Sequence, residues 1–170
     1  SLLMAKPQYS KPIKIPTGVK FLVDTREQKP LICGGEGIPY KRKKLDAGDY
    51  SIEVDGKDCS RDIVIEHKLP HEFLGCIGAK RDFFEKQLER LQKVNLRYLL
   101  IRGCTQEEIR DPFIYGSLVS PESVWGSLIS LEVKWGMKVH FESTRHLAHR
   151  WVVKTLIYYY HLLRRGKLGG

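Results

Sequence analysis

The spacing of hydrophobic and polar positions changes period along the chain, and each change marks an element. Phe21-Leu22-Val23 is a short apolar run ending at Asp24, and Tyr50-Ser51-Ile52 and Asp62 to Lys68 read as further strands. Ala47-Gly48-Asp49 is a turn ahead of the second of these, and Asp55-Gly56 reads as a hairpin turn after it. Pro70 sits near the start of a short helix that ends before Gly78. From Arg81 to Val94, Phe84, Leu88 and Leu91 recur at helical spacing. Tyr98-Leu99-Leu100-Ile101 is apolar throughout, the pattern of a strand buried on both faces. Ser120 caps and Pro121 begins another helix, apolar at Val124, Leu128 and Leu131. Lys138 to Phe141 is a short strand, and a last helix runs from about Thr144 to Arg165. The stretch 29–39, with Gly34-Gly35-Glu36-Gly37, is a loop, and residues 1–18, with three prolines, form an extended or mobile arm ahead of a single domain over 19–170. A strand-rich opening followed by alternating strands and helices predicts an α/β domain with helices on a central mixed sheet.

Composition narrows the classes. At 170 residues, with 42% hydrophobic and 29% charged positions, the chain is long enough to bury one core and unlike a disordered tail or a coiled-coil rod. Twenty-nine Lys and Arg against 20 Asp and Glu leave a net charge of +9, which favours a polyanionic partner, nucleic acid before anionic membrane; the bland alternative is a merely basic surface. The longest apolar stretch, Trp151 to Leu163, contains Lys154 and is too short to span a bilayer, and the opening residues lack a signal-like apolar run. These features predict no membrane association and an intracellular protein, in cytoplasm, nucleoid or nucleus according to source. The four cysteines form no C-x-x-C pair and are expected as thiols. Gly34 to Gly37 lacks the G-K-[ST] ending of a phosphate loop, so no nucleotide cofactor is indicated, and His71-Glu72 lacks the second histidine of a zinc-protease helix. His146 and His149 are expected at the surface.

The chemistry concentrates at strand ends. Asp24, Glu27, Asp49 and Glu66 all fall at or just past the ends of apolar strands, where α/β folds keep their sites. In Ile63-Val64-Ile65-Glu66-His67-Lys68 the alternation places Glu66 and Lys68 on one face and His67 on the other. A carboxylate beside a fixed cation suits phosphodiester hydrolysis, which needs a hard divalent ion and a lysine near the phosphate; Asp49 is a second candidate ligand. A solvated Glu-x-Lys and a good turn aspartate are the bland readings of the same residues.

Val23-Asp24-Thr25-Arg26-Glu27, Ala47-Gly48-Asp49-Tyr50 and Ile65-Glu66-His67-Lys68 resemble, in order and spacing, the V-D-x-R-E, G-D-Y and E-R-K-x-x-x-D motifs of the XPF/Mus-type structure-specific nucleases. Gly75-Cys76-Ile77-Gly78 followed by Arg81 is similar to the family's next segment, and the likeness covers about residues 20–102. The resemblance implies a restriction-endonuclease-like fold, dependence on Mg2+ or Mn2+, and incision of branched or flapped DNA. It implies that Asp49 and Glu66 ligate metal with Asp24 as a further candidate ligand, that Asp24 and Glu27 complete the acidic cluster, and that Lys68 serves the attacking water. Arg26 would orient the cluster or touch the scissile phosphate, Arg81 would reach the DNA backbone, and the basic run Lys41-Arg42-Lys43-Lys44, which precedes the presumed metal loop, is a further candidate for backbone contact. Two positions depart from the motif: His67 stands where the family has arginine, and Glu72 where it has aspartate. Relatives often place a helix-hairpin-helix module next; the sequence reaches Gly170 without one, which leaves substrate choice open.

The expectation is therefore a metal-dependent endonuclease of DNA repair or recombination type, cutting branched or junction DNA to leave a 5′ phosphate. The alternative is a catalytically silent DNA-binding or scaffolding subunit that keeps the fold. The last helix, apolar at Leu147, Trp151, Val152, Leu156, Tyr159 and Leu163, reads either as core or, as the resemblance implies, as the interface of a homodimer or heterodimer.

Overall fold

A computed structural model describes residues 11–34 and 37–167. Gly35 and Glu36 of the glycine loop, and residues 1–10 of the arm, lie outside the described residues. The elements are β1 (Val19–Val23), β2 (Tyr40–Arg42), β3 (Tyr50–Val54), β4 (Lys57–Asp58), β5 (Ile63–Lys68), α1 (Pro70–Ile77), α2 (Arg81–Leu91), β6 (Leu96–Arg102), α3 (Gln106–Ile109), a 3-10 turn (Pro112–Tyr115), α4 (Pro121–Val133), β7 (Lys138–Glu142) and α5 (Arg145–Arg164).

The seven strands make one mixed sheet in the order β2-β1-β3-β5-β6-β7, with β4 paired to β3. β3 runs antiparallel to β1 and β5, while β5, β6 and β7 are parallel and joined by helical crossovers. The expected mixed sheet flanked by helices is present. Asp55 and Gly56, both at positive φ, turn the β3–β4 hairpin, the geometry a two-residue loop requires.

Side-chain alternation splits the core into two layers. On one face Phe21, Val23, Tyr50, Ile52, Ile63, Ile65 and Leu100 pack against Val152, Val153 and Leu156 of α5. On the other, Val64, Leu99 and Ile101 pack against α1, α2 and α4. Core burial therefore accounts for the apolar character of α5, although Tyr158 stays exposed. His149, expected at the surface, is buried in this helix, and its Nδ1 lies 2.7 Å from the Leu31 carbonyl oxygen. The reason is that α5 buries a stripe wide enough to take in a polar position, provided that position finds a backbone partner. Ile13 and Ile15, within the segment read as an arm, also rest against the α5-side core.

Two local devices position the strand ends. The first is a clasp around Asp24, which is 1% exposed. Its carboxylate accepts from Arg26 Nε at 2.8 Å, Arg26 Nη2 at 3.1 Å, and the backbone N–H groups of Arg26 at 3.0 Å and Leu45 at 2.8 Å. Arg26 Nη2 also donates to the Leu45 carbonyl at 2.8 Å, so the clasp ties β1 to the segment entering Gly48-Asp49. The second device is Gly48, whose φ of +83° puts the chain where a side chain is strained, and whose absent Cβ would lie 2.8 Å from Val64 Cβ.

Burial pushes the Asp24 carboxyl up, and the bonds from Arg26 and Leu45 more than reverse this, leaving it below its usual 3.8. A depressed carboxylate contributes stability above the unfolded value and loses it as the pH falls through the folded one. Asp24→Asn is expected to lower stability by about 2–3 kcal/mol at pH 7 in urea unfolding, because its amide turns donors toward donors, and the gap to wild type should close below about pH 4. Gly48→Ala is expected to cost about 2–4 kcal/mol from backbone strain and overpacking together. Gly56→Ala, with a similar φ of +82° and nothing within 4 Å, should cost about 1–2 kcal/mol, so matching losses at the two sites would disprove the packing argument.

Candidate active site

The ends of β1, β3 and β5 lie side by side because their backbones are bonded across. Asp24 N donates to Asp49 O at 2.8 Å, and Asp49 N donates to Ile65 O at 2.9 Å. The ladder leaves the Asp49 side chain facing β5, where its Oδ2 accepts the His67 backbone N–H at 2.7 Å and its carboxyl meets that of Glu66. Glu66 is 8% exposed, and Lys68 Nζ lies 3.7 Å from Glu66 Oε1 on the same strand face, as the alternation predicts. These residues line a cleft of about 260 Å³ together with Asp24, Arg26, Glu27, Asp46 and Glu72.

Electrostatics marks this cluster as built for charge. Burial, reinforced by the charges of Glu66 and Glu27, raises Asp49 well above the carboxylate range. Burial also raises Glu66, against the pull of Lys68. Each carboxyl thus gives up its proton at a higher pH than an isolated one would. Burial pulls the Lys68 ammonium down, but Glu66 and Asp49 more than restore it, so Lys68 stays charged and is a cation beside the site rather than a base.

Glu27 and His67 belong to one network. Tyr50 Oη donates to Glu27 Oε2 at 2.6 Å and His67 Nδ1 lies 3.0 Å from the same oxygen, while Arg102 Nε donates to His67 Nε2 at 3.3 Å. Arginine only donates, so Nε2 is the acceptor and the imidazole proton sits on Nδ1, facing Glu27. The ring, opposite the Glu66 and Lys68 face, thus still reaches the cluster, by gripping an acid that lines the cleft. Glu72, the other departure, caps α1 by accepting the Leu69 N–H at 3.0 Å.

The structure does not gather every expected residue. Asp24 is in the cleft wall, but its four hydrogen bonds occupy the lone-pair positions a metal would need. Arg81 pairs with Glu85 at 3.6 Å and lines a separate groove with Phe84, Leu88 and Trp135. In the basic run, Lys41 pairs with Glu53, Lys43 with Asp58, and Arg42 donates to the carbonyls of Thr25 and Glu27, bracing the acidic loop; Lys44 is exposed. Phe83, Gln87 and Arg90 of α2 face the cleft instead, and sequence reading missed them. Their i, i+4, i+7 spacing was the available signal, masked by the stronger apolar stripe of Phe84, Leu88 and Leu91.

Among the described residues, no group of three or more His, Cys, Asp or Glu side chains is arranged to hold a metal ion. Two carboxylates do converge, and that is the set Mg2+ uses when water and substrate phosphate complete its octahedron. Mn2+ accepts the same oxygen donors. The charged dyad of Asp49 and Glu66 therefore fits a hard divalent cation.

Comparison with known proteins bears on this geometry. The fold is similar to XPF from Aeropyrum pernix, with a TM-score of 0.62 at 17% identity over 87% of this chain and 68% of that one. It is likewise similar to XPF from Aeropyrum pernix in complex with DNA, with a TM-score of 0.60 at 20% identity over 89% and 68%. No match emerges among curated proteins. The ERCC4 domain model matches residues 23–155, a span that holds Asp49, Glu66, Lys68 and the whole sheet apart from most of β1, and by that match the chain belongs to the ERCC4 domain family.

Proposed function

We propose that this chain is a Mg2+-dependent endonuclease acting on branched or flapped DNA. The observation that carries the reading is the pair of half-buried Asp49 and buried Glu66, with the Lys68 ammonium 3.7 Å from Glu66, in an open cleft on a chain of net charge +9. Family membership and the fold shared with a DNA-bound XPF support it.

Asp49 and Glu66 would hold the cation, which when bound supplies Lewis acidity toward the phosphate and acidifies water. Lys68 places a fixed positive charge where negative charge develops on the phosphate, and orients the attacking water. Glu27, held by Tyr50 and His67, adds negative potential beside the pair. Asp24 and Arg26 keep the β1 and β3 ends in register, a positioning role. Arg90 and Lys44 offer cationic contact to the DNA backbone around the cleft. One observation favours the binding-only alternative: Asp24 is fully engaged, so the cluster offers fewer free carboxylates than the motifs suggest.

Cleavage of end-labelled flap, fork and duplex DNA separates the two readings. Branched substrates should be cut with Mg2+ and left intact in EDTA, and Glu66→Gln and Lys68→Met should each slow cutting by about 10²–10³-fold. Folded protein that binds the fork without cutting it would establish the binding-only role.

Removing the like-charge conflict should trade activity for stability. Raised carboxyls contribute stability at low pH and lose it as the pH rises through their folded values. Asp49→Asn is therefore expected to abolish cutting yet raise metal-free stability at pH 8 by about 1 kcal/mol, an advantage that Mg2+ erases by binding only the wild-type dyad. Equal stability of the two proteins in EDTA would refute the dyad.

A further inference from the structure

Beyond the acidic cleft, two guanidinium groups on the α5 side of the sheet, those of Arg102 and Arg145, make no ion pair with a carboxylate among the described residues. Arg102 is the last residue of β6. Register pairs His67 with Leu100, so Arg102, two residues on, shares the His67 face of the sheet, away from Glu66 and Lys68. Its Nε is spent on the His67 ring, which leaves the rest of the half-buried guanidinium without an ion pair among the described residues. Arg145, the first residue of α5, is exposed and donates through Nη2 to the carbonyls of Lys29 at 3.1 Å and Pro30 at 2.7 Å, again neutral acceptors.

Register pairs Arg102 with Glu142, three residues ahead of Arg145, so β6, β7 and the start of α5 bring both arginines to one end of the sheet. Burial first, and the charge of Arg145 second, pull Arg102 below its usual value. The carboxylates around Arg102 are already engaged: Glu27 by Tyr50 and His67, Glu72 by the Leu69 N–H, and Glu142, its register partner on β7, by His140 Nε2 at 2.8 Å. Bringing two arginines together without a shared anion costs free energy, and folds that do so commonly receive an anion from outside. The surplus is also fixed in place: Arg102 is tied through His67 to Glu27, which lines the acidic cleft, so the cationic pair keeps a set relation to the cleavage site.

We propose that Arg102 and Arg145 form a phosphate subsite that grips a backbone phosphodiester of the DNA strand next to the one lying at Glu66 and Lys68, so that the strand crosses the end of β5 from one face of the sheet to the other. The subsite rests on the reading of the cleft as a DNA site, but not on cleavage. It gives the chain a grip on the strand beside the cut, where the acidic dyad itself repels phosphate.

The test is binding of a fluorescein-labelled flap DNA by anisotropy in EDTA, titrated with KCl, so that cutting plays no part. Each phosphate contact contributes about 0.7–0.9 to the slope of log K against log salt. Arg102→Gln and Arg145→Gln should each flatten the slope by about that amount and weaken binding roughly fivefold at 0.1 M KCl, while Arg102→Lys keeps the slope. Single methylphosphonate linkages walked along the strand should reveal one position that weakens wild type but not Arg102→Gln, the signature of a direct contact. Because Arg145 is exposed, Arg145→Gln carries the same test should Arg102→Gln fail to fold. Unchanged slopes in folded variants would overturn the subsite and leave the arginines as braces of His67 and the Lys29–Pro30 loop. Failure of wild type to bind DNA would overturn both the subsite and the cleft's assignment. Binding without cutting in Mg2+, with slopes altered as expected, would uphold the subsite and reject the nuclease reading alone.

Discussion

Two carboxyl groups that repel each other stand side by side at the centre of this molecule, and the rest of the site depends on the backbone that keeps them there. Asp49 is fixed on both sides by ladder bonds, its N–H to Ile65 and its carbonyl from Asp24, and its Oδ2 accepts the His67 N–H, which together hold its carboxyl toward β5. Cooperative strand pairing thus supplies the force that opposes the like-charge repulsion, and the conflict is left for a proton or a divalent cation to relieve. The clasp of Arg26 on Asp24 and the tight seat of Gly48 over Val64 serve the same end, by fixing the segment that delivers Asp49.

β5 divides the labour through its period of two. Val64, Glu66 and Lys68 face α1 and α2, and Ile63, Ile65 and His67 face the α5 layer. One strand therefore carries core packing at its start and chemistry at its end, on both faces. His67 links the two faces, because its ring joins Glu27 in the cleft to Arg102 on the far side. A substitution at this single position would disturb the acidic cluster and the cationic pair together.

Much of this was legible from the residues. The strands, the helices and the shared face of Glu66 and Lys68 follow from hydrophobic period, and three ordered motifs picked out the strand ends that meet. Less legible was the allocation of partners. Asp24 and Asp49 look equivalent as acids at strand ends, yet one has four donors around it and the other a neighbouring carboxyl. Phe83, Gln87 and Arg90 were hidden because the angle at which α2 crosses the sheet decides which of its polar positions overlook the cleft. Arg81 looked poised for DNA by its place in the motif, and that same geometry turns it toward a different groove.

The sequence by itself determined the longer strands and helices and which side chains share a face, because those properties follow from the fixed periods of the backbone, whereas β2, β4 and α3 are too short to show one. Only the tertiary structure decided which charged groups are free and which are committed. Leu45 reaches Asp24 across 21 positions, His67 reaches Glu27 across 40 and Arg102 reaches His67 across 35, and no local period encodes such pairings. They are set by how the sheet stacks its strand ends, and it is that stacking which separates a buried structural aspartate from a pair of converging carboxyls.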